Sequence, residues 1–412
     1  MTLHPRENRG IAPTRRHVLQ LVGLAGLAAA AGCGGRDRPS ATASPRDELV
    51  LSRPDRPARL PLHPDVTAIA DGLAAEKGGK LKILNYAEYL SPDLMKKFGD
   101  QHGVQLEVTT FTTQQEQIEK LRTAGAAFDL CFPTPDVVGR MVAGKLLKPL
   151  NHSYLTNLPN AWPQLRDPFY DQGSQYTVPY TAYTTGIGYR ADRVKSAPSN
   201  GYDLLWDAAN KGKVYILEDP RETLAMAMLR AGKTDVNTED AATIQEAGAA
   251  LESLVGAVNV KVGISAYQLV PEGQASVHQC WSGDMINAQY YLPEGVGAEV
   301  LGYWYPADEK GVVGTDCMAV PATAQKPVLA HMFMNILLGE EGGLENFSFT
   351  GYQPALSFVT PERMVADEYV AENLTSAIVT ASQYASGLQL LQLSTEGEGL
   401  WNDAFAKFRA GS

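Results

Sequence analysis

Short apolar segments alternate with helical patterns in the part of the chain beyond residue 80. Apolar runs or strict alternation predict strands, and apolar residues at helical spacing predict helices. In the first half the predicted strands are 81–85, 104–111 and 128–132, and the predicted helices begin at the cap residue Ser91 and cover 113–124 and 136–147. Because strands alternate with helices, we expect an α/β fold with a parallel, doubly wound sheet.

The second half repeats this class of pattern without repeating the sequence. Its predicted strands are 213–217 and 276–281, and its predicted helices are 220–231, 241–255, 328–338 and about 400–409. The segment beyond residue 80 has about 330 residues, which is more than one lobe usually holds. We therefore expect two lobes, each a sheet flanked by helices.

The N-terminal segment has the features of a secretion signal. Arg15 and Arg16 precede an uncharged run of about 15 residues that ends in small residues before Cys33, whereas a membrane span needs about 20. Residues 14–20, Thr-Arg-Arg-His-Val-Leu-Gln, resemble the twin-arginine export motif, although two positions depart from it. We expect the signal to extend to Cys33 over residues 1–33, with cleavage immediately before Cys33.

The small residues before Cys33 also resemble a bacterial lipoprotein cleavage site, in which the cysteine is lipidated and becomes the new N-terminus. An ordinary cleaved signal with an incidental cysteine is the alternative. Residues 34–79 are rich in Arg, Asp, Pro, Ser and Ala without a sustained period, which predicts a flexible tether. The protein is then expected in the periplasm or at the outer face of the cytoplasmic membrane, anchored by lipid.

The charge of the chain limits its partners. The formal net charge is −11, and removal of residues 1–32, with four arginines and one glutamate, brings it to −14. An acidic chain disfavours nucleic acid and favours cationic partners. Cys131, Cys280 and Cys317 remain, and no pair of them has the spacing of a metal site. We expect free, buried thiols and no metal.

Ligands of open α/β sheets bind beyond the carboxyl ends of the strands, and this rule selects five segments. They are 85–89, 133–136, 218–222, 281–284 and, before a strand-like stretch, 314–316. Their carboxylates and aromatic rings, with a tyrosine from a later Gly-Tyr turn, are Glu88, Asp136, Asp219, Glu222, Asp316, Tyr86, Tyr89, Trp281 and Tyr352. Carboxylates bind ammonium groups with about 1.5–3 kcal/mol per charge-assisted hydrogen bond, and rings supply apolar walls and cation–π attraction. The set favours an organic cation.

Structural roles are the alternative for several of these residues. Asp219 and Glu222 fit a helix capping box, with the cap residue and the third helical residue both acidic. The same two residues could serve both purposes. Trp281, Tyr86 and Tyr89 are as compatible with core packing as with a binding site.

The order and spacing of these segments resemble the spermidine/putrescine periplasmic binding proteins over roughly residues 81–411. Residues 85–89, Asn-Tyr-Ala-Glu-Tyr, are similar to the family's Asn-Trp-Thr-Glu-Tyr, and residues 219–222, Asp-Pro-Arg-Glu, to its Asp-Ala-Arg-Glu. The other matches are 128–134 with its Tyr-Asp-Leu-Val-Val-Pro-Ser strand, 281–283 with its Trp-Asn-Gly, 315–321 with its Met-Asp-Ser-Leu-Ala-Ile-Pro, and 351–352 with its Gly-Tyr.

The resemblance implies a solute-binding protein of an ABC importer with a type II periplasmic-binding-protein fold. Its first lobe would comprise residues 80–186 and about 314–355, and its second lobe residues 187–313 and about 356–412. The lobes would close on an extended polyamine of the spermidine, putrescine or spermine type. The protein would act as a monomer, without a cofactor or catalytic activity, and would deliver the polyamine to permease subunits in the membrane.

The family's binding roles carry over to the matching positions. The acidic residues that would hold the amino groups are Glu88, Asp219, Glu222 and Asp316, the aromatic walls would be Tyr86, Tyr89, Trp281 and Tyr352, and Thr134 would contribute a hydroxyl.

Three positions depart from the family pattern. Ala87 replaces a Thr, Asp136 lies where the family commonly has Tyr, and Gly314 lies where a second Trp would wall the pocket. One fewer ring and one more carboxylate would widen the cleft and raise its negative charge, which favours a longer or more highly charged polyamine than putrescine. The rings that could refill the gap are Tyr303, Trp304 and Tyr305.

Two other functions remain open. Adjacent tyrosines coordinate ferric iron in a different class of binding protein, and Tyr290-Tyr291 is such a pair, unless the two rings only straddle a helix face. A binding lipoprotein for ferric iron or another small cationic solute is the second hypothesis. A secreted hydrolase is the third, although the histidines are scattered and no phosphate-loop spacing occurs.

Overall fold

The computed structural model describes residues 51–123, 127–194 and 198–412. The predicted signal at 1–33, with Cys33, and residues 34–50 of the predicted tether lie outside the described residues. Within the described part, eleven strands form a mixed sheet. The strands are β1 (Lys80–Asn85), β2 (Gln105–Thr110), β3 (Leu130–Cys131), β4 (Leu147–Lys148), β5 (Thr177–Arg190), β6 (Val214–Ile216), β7 (Lys261–Val262), β8 (Val277–Trp281), β9 (Leu301–Trp304), β10 (Val312–Pro321) and β11 (Leu388–Gln389).

Helices cover both faces of this sheet. They are α1 (Pro92–His102), α2 (Gln114–Arg122), α3 (Pro135–Ala143), α4 (Pro163–Arg166), α5 (Pro220–Arg230), α6 (Ala241–Val258), α7 (Ala266–Leu269), α8 (Ser282–Ala288), α9 (Pro327–Leu337), α10 (Glu340–Thr350), α11 (Pro361–Ala366), α12 (Ala381–Ser386) and α13 (Thr395–Gly411). Short 3-10 helices lie at His152–Tyr154, Leu158–Asn160, Gly201–Leu205, Ala208–Asn210, Ala298–Val300 and Glu372–Ala377. No helix of the described chain has both the length and the apolar character needed to cross a membrane.

The sheet consists of two parallel wings joined by two long antiparallel strands. Its order is β2-β1-β3-β10-β5-β8-β6-β7. β1 pairs in parallel with β2 and β3, which we call the first wing, and β6 pairs in parallel with β7 and β8, which we call the second wing. Between them β10 and β5 are antiparallel to each other and to their outer neighbours. The expected α/β class is confirmed, but the expectation of a wholly parallel sheet is wrong at its centre.

The burial of β5 explains why the sequence did not reveal this centre. Twelve of the fourteen residues of β5 are buried, so its two faces do not alternate between apolar and polar side chains. Threonines and glycines interrupt its apolar residues, so it does not form the continuous apolar run of a buried strand either. The segment 314–316 was predicted as a loop, but it lies inside β10. It was misassigned because β10, like β5, is buried on both faces and shows no alternation of apolar and polar residues.

Local signals fixed the predicted helices more accurately. Ser91 begins α1 as expected, because its hydroxyl oxygen accepts a hydrogen bond from the backbone N–H of Leu94 at 3.2 Å. The helix ends at Gly103, whose φ of 64° lies in the left-handed region that favours glycine. The predicted helix 136–147 ends earlier, at Ala143.

Two large hydrophobic clusters support the two wings. The first contains Leu81 and Ile83 of β1, and Phe98 of α1 packs against Phe333 of α9 with ring centroids 5.0 Å apart. The second contains Ile216 of β6, together with α6 and the α13 residues Trp401, Phe405 and Phe408. The three described cysteines, Cys131, Cys280 and Cys317, are buried and free, as expected.

The segment 51–79 packs on the folded chain, which differs from the flexible tether expected over 34–79. The backbone N–H of Ala58 donates to the carbonyl of Phe169 at 2.8 Å, and the hydroxyl of Tyr176 donates to the carbonyl of Pro61 at 2.6 Å. The carboxylate of Glu76 accepts the first free N–H groups of α9 at 3.0 and 2.9 Å. These contacts are hydrogen bonds to backbone groups, including the capping of α9. Such contacts do not require a regular spacing of apolar residues, so no sign of them is visible in the sequence.

Candidate ligand-binding cavity

A cavity of about 430 Å³ lies at the carboxyl ends of β1, β3, β6 and β8 and over the pair β5–β10. This is the position that the strand-end rule predicts. The five selected segments all contribute to its lining. The structure brings together all ten residues proposed for binding, namely Tyr86, Glu88, Tyr89, Thr134, Asp136, Asp219, Glu222, Trp281, Asp316 and Tyr352. Their role in binding stays a prediction.

Asp316 is a buried carboxylate of β10 at one end of the cavity. The hydroxyl of Tyr89 donates to its Oδ2 at 2.6 Å, and the Tyr89 oxygen also lies 2.8 Å from Oγ1 of Thr181. The strand register shifts between Asp316 and Cys317, an irregularity that often redirects a side chain. Burial raises the pKa of Asp316 to about 7, although the Tyr89 hydrogen bond and others oppose this rise.

A second buried carboxylate, Asp284 of α8, was not among the predicted site residues. The hydroxyl of Tyr352 donates to its Oδ1 at 2.9 Å, while Oδ2 is buried and has no hydrogen-bond partner in the described chain. Burial raises the pKa of Asp284 to about 7. The signal for it was present, since Asp284 closes the selected segment 281–284 three residues after Trp281.

Glu222 and Trp281 connect the cavity to the second wing. Nε1 of Trp281 donates to Oε1 of Glu222 at 3.2 Å, while Oε2 of Glu222 is buried without a partner among the described residues. Burial, and then the nearby charge of Asp219, raises the pKa of Glu222 to about 8. Burial and the neighbouring acid therefore favour the protonated form of this carboxyl group.

Asp219 serves as the helix cap that its sequence context predicted. Its Oδ1 accepts the backbone N–H of Glu222 at 2.9 Å at the start of α5. Burial also raises the pKa of Asp219. The capping interpretation is confirmed for Asp219, and it does not remove Glu222 from the cavity, because only the backbone of Glu222 takes part in that hydrogen bond.

Three tyrosine rings form a continuous wall of the cavity. The rings of Tyr86 and Tyr89 lie 5.8 Å apart, and those of Tyr89 and Tyr352 lie 5.0 Å apart, both edge to face. Nε2 of Gln114 donates to the hydroxyl of Tyr86 at 2.9 Å. Tyr89 belongs to the large hydrophobic cluster as well, so core packing and contact with the cavity coexist in this residue.

The loops after β1 and β3 supply the remaining predicted residues. Oγ1 of Thr134 is buried without a hydrogen-bond partner in the described chain and does not cap α3. Asp136 lies in the first turn of α3, where the positive end of the helix dipole favours a carboxylate. Glu88 is exposed and has a φ of 57°, a conformation that costs a non-glycine residue about 1 kcal/mol or more.

The space above Gly314 is not filled by any of the three rings proposed for it. Tyr303, Trp304 and Tyr305 do not line the cavity. The hydroxyl of Tyr303 instead donates to the carbonyl of Thr184 at 3.0 Å, and Trp304 packs on Tyr202 with centroids 4.9 Å apart.

Seven carboxylates line the described cavity against one cationic side chain. The carboxylates belong to Glu88, Asp136, Glu218, Asp219, Glu222, Asp284 and Asp316. Glu218 is paired with Arg409 at 2.9 Å. The cation, Arg221, donates to the carbonyl of Leu391 at 3.0 Å and to Oδ1 of Asn237 at 2.8 Å. The hydrogen bonds of Arg221 therefore connect neighbouring chain segments. The excess of carboxylates over cations in the cavity lining fits a cationic ligand.

The tyrosine pair considered for iron lies outside this cavity. Tyr290 and Tyr291 lie beyond the end of α8 at Ala288, and neither lines the cavity. The alternative that the two rings straddle a helix face is therefore wrong. The ring of Tyr291 packs edge to face on Tyr267 at 5.2 Å. Across the described chain, no group of three or more His, Cys, Asp or Glu side chains is arranged to hold a metal ion.

Comparison with known proteins agrees with this geometry. The sequence profile described as bacterial extracellular solute-binding protein matches residues 93–372. The spermidine/putrescine-binding periplasmic protein of Escherichia coli is 27% identical over 292 residues, which cover 69% of this chain and 81% of that protein. The putrescine/cadaverine-binding protein of Pseudomonas aeruginosa is 27% identical over 315 residues, which cover 72% of this chain and 86% of that one.

The fold is shared with a solved structure. The chain is similar to the spermidine/putrescine ABC transporter substrate-binding protein from Streptococcus pneumoniae, with a TM-score of 0.64 and 24% identity, covering 81% of this chain and 99% of that one. This likeness confirms the expected periplasmic-binding-protein-like fold.

The raised pKa values predict that the protein, measured without added ligand, loses stability as pH rises. Asp284, Asp316 and Glu222 have pKa values of about 7, 7 and 8 in the folded protein, against roughly 4 in an unfolded chain. Between these limits the folded state holds more protons, so the free energy of unfolding falls with pH, by at most about 1.4 kcal/mol per pH unit for each group. Urea denaturation at pH 5, 6, 7 and 8 measures this slope.

The matched control is the double variant Asp284→Asn/Asp316→Asn, whose amides cannot ionise but can still accept the two tyrosine hydrogen bonds. Its stability should fall less steeply over the same range. A variant slope equal to that of the wild type would show that these two carboxyl groups do not have raised pKa values.

Proposed function

Because the chain belongs to the bacterial extracellular solute-binding proteins, we propose that it captures a polyamine in this cavity and delivers it to the membrane permease of an ABC importer. The observation that carries the proposal is the set of buried carboxylates without cationic partners, Asp284, Asp316 and Glu222, inside a cavity walled by aromatic rings. The names of the Escherichia coli and Pseudomonas aeruginosa relatives, which bind spermidine, putrescine or cadaverine, support it.

The chemistry of capture is an exchange of protons for ammonium groups. Before a ligand binds, the raised pKa values would keep the buried carboxyl groups partly protonated near neutral pH. An ammonium group beside each carboxyl group stabilises the ionised form, and the protons are released. The unpartnered Oδ2 of Asp284 and Oε2 of Glu222 accept hydrogen bonds from the ligand. Tyr86, Tyr352 and Trp281 contact the methylenes between the amines.

Closure of the two predicted lobes would complete this exchange by excluding water. A contact that supports closure joins α3 to α13, where Nη1 of Arg140 lies 2.6 Å from Oε2 of Glu398. α3 shares a hydrophobic cluster with Leu84 of β1 in the first wing, and α13 packs on α6 beside the second wing. Low dielectric in the closed cavity strengthens each ammonium–carboxylate pair.

We propose further that the protein is exported through its twin-arginine signal and anchored by a lipid on Cys33. The anchoring is supported by the small residues that precede Cys33. Since residues 51–79 pack on the fold, the linking segment would be residues 34–50, which spans at most about 60 Å when fully extended. The anchor would keep the binding domain close to its permease.

The polyamine proposal predicts saturable binding that strengthens with pH. Spermidine, spermine and putrescine should each be titrated by calorimetry and Trp fluorescence at pH 6, 7 and 8. Affinity for at least one should rise over this range, because below about 7 the carboxyl groups of Asp284 and Asp316 are protonated and do not pair with ammonium. Calorimetry in two buffers of different ionisation enthalpy should register proton release. No saturable response to any polyamine, or a coloured ferric complex in its place, would remove the proposal.

A single substitution tests the role of Asp316. Asp316→Asn should weaken polyamine binding by about 1–3 kcal/mol, because a charged partner is lost while the hydrogen bond from Tyr89 can persist. The matched control is Asp403→Asn, a surface change on α13 that should leave affinity unchanged. Calorimetric titration gives the affinities, and thermal melting checks that both variants fold. Wild-type affinity in Asp316→Asn would exclude this residue from the site.

Cell fractionation tests the anchor and the export route together. Cys33→Ser should move the exported protein from the membrane fraction to the soluble extracytoplasmic fraction, while Ser40→Ala should leave it membrane-bound. Arg15→Lys/Arg16→Lys should keep the protein in the cytoplasm. Membrane association that survives Cys33→Ser would contradict lipidation, and normal export of the arginine variant would contradict the twin-arginine route.

A further inference from the structure

Gly314 of β10 and Tyr183 of β5 are partners across the antiparallel strand pair. A Cβ atom placed on Gly314 would lie 2.4 Å from Cζ, 2.5 Å from the hydroxyl oxygen and 2.6 Å from Cε2 of Tyr183. These distances are too short for any real side chain, so the ring of Tyr183 lies directly over the glycine. Gly314 is not among the glycines with positive φ, so its backbone conformation does not require a glycine. The reason for a glycine here is that the Tyr183 ring needs the space.

The register of the sheet places this ring on the face that carries the site. Thr181 pairs with Asp316 and Tyr183 pairs with Gly314, so Asp316 and Gly314 lie two residues apart on one face of β10. Two residues further along β5, Thr185 pairs with Trp281 of β8. Tyr183 therefore lies between the carboxylate of Asp316 on one side and the Trp281–Glu222 pair on the other.

The ring has the surroundings of a binding wall rather than of a core residue. It lines the cavity and is only partly buried. It meets the ring of Trp281 edge to face, with centroids 6.4 Å apart. Burial raises the pKa of Tyr183 well above its usual value, and the charges of Asp316 and Glu222 add to this rise. Its hydroxyl takes part in no hydrogen bond recorded within the described chain.

We propose that Tyr183 is a ligand-contacting and specificity-determining residue, whose ring supports the methylene chain between the two groups of carboxylates, and that Gly314 lacks a side chain to admit it. This inference rests on the proposed function for the nature of the ligand. Because Gly314 and Tyr183 are partners across the β5–β10 pair, an aromatic side chain at either position would occupy the same space beside the cavity.

The test moves the ring from one strand to the other. Tyr183→Gly should weaken binding of the best polyamine by about tenfold or more, since an aromatic wall is lost. Tyr183→Phe should stay within about threefold of the wild type, because the ring remains. The exchange variant Tyr183→Gly/Gly314→Tyr, which has the same composition as the wild type, should recover most of the affinity lost in Tyr183→Gly.

Thermal melting supplies a readout that needs no ligand. Gly314→Ala should lower the melting temperature in the wild type, because its methyl group would overlap Tyr183, and should be tolerated in the Tyr183→Gly background. Equal effects of Gly314→Ala in both backgrounds would overturn the packing argument. Unchanged affinity in Tyr183→Gly, or no recovery in a folded exchange variant, would overturn the inference while leaving polyamine capture intact. Absence of polyamine binding by the wild type would overturn both.

Discussion

The antiparallel pairing of β5 with β10 is the constraint on which the rest of the structure depends. Each wing is a parallel unit that presents the ends of its own strands. β10 pairs with β3 of the first wing and β5 pairs with β8 of the second, so their own pairing sets the two wings against each other. The carboxyl ends of four strands then meet at one cavity. A different register between β5 and β10 would separate Asp316 from Thr181 and Gly314 from Tyr183.

Burial of acids in this cavity is unfavourable to the fold and useful to the site. A protein cation beside Asp284 or Asp316 would stabilise the ionised carboxylate, but it would also occupy the place of a cationic ligand. The structure uses neutral donors instead, the hydroxyls of Tyr352 and Tyr89. Among the described lining residues, Arg221 is the one cation, and its guanidinium is held by Leu391 and Asn237. Burial therefore raises the pKa of Asp284 and of Asp316 to about 7, and the proposed capture uses these two groups.

The sequence revealed those features that have a local signal. Periodicity and caps predicted the strands of the first wing, β6 and β8 of the second wing and the longer helices, but they missed the two-residue β7. The strand-end rule selected segments that the fold brings together. β5 was missed because both of its faces are buried, which removes the alternation that identifies a strand. The packing of 51–79 was missed because backbone hydrogen bonds leave no pattern in the side chains. Asp284 lay inside a selected segment, but acidic residues are common in the first turn of a helix. Only its burial and its hydrogen bond from Tyr352 distinguish it from such a residue.

Gly314 illustrates why a departure from a family motif is hard to interpret along a single strand. Read alone, a glycine in place of an aromatic residue implies a wider cleft and, with it, a longer ligand. The cross-strand neighbour changes that conclusion, since Tyr183 occupies the space above the glycine and the number of rings at the cavity need not fall. The missing ring at Gly314 therefore no longer argues for a wider cleft and a longer ligand. The additional carboxylate at Asp136 still argues for a more highly charged ligand. Asp136 and Asp284 both line the cavity, so the prediction that remains is that the number of ammonium groups on the ligand, rather than its length, decides which polyamine binds.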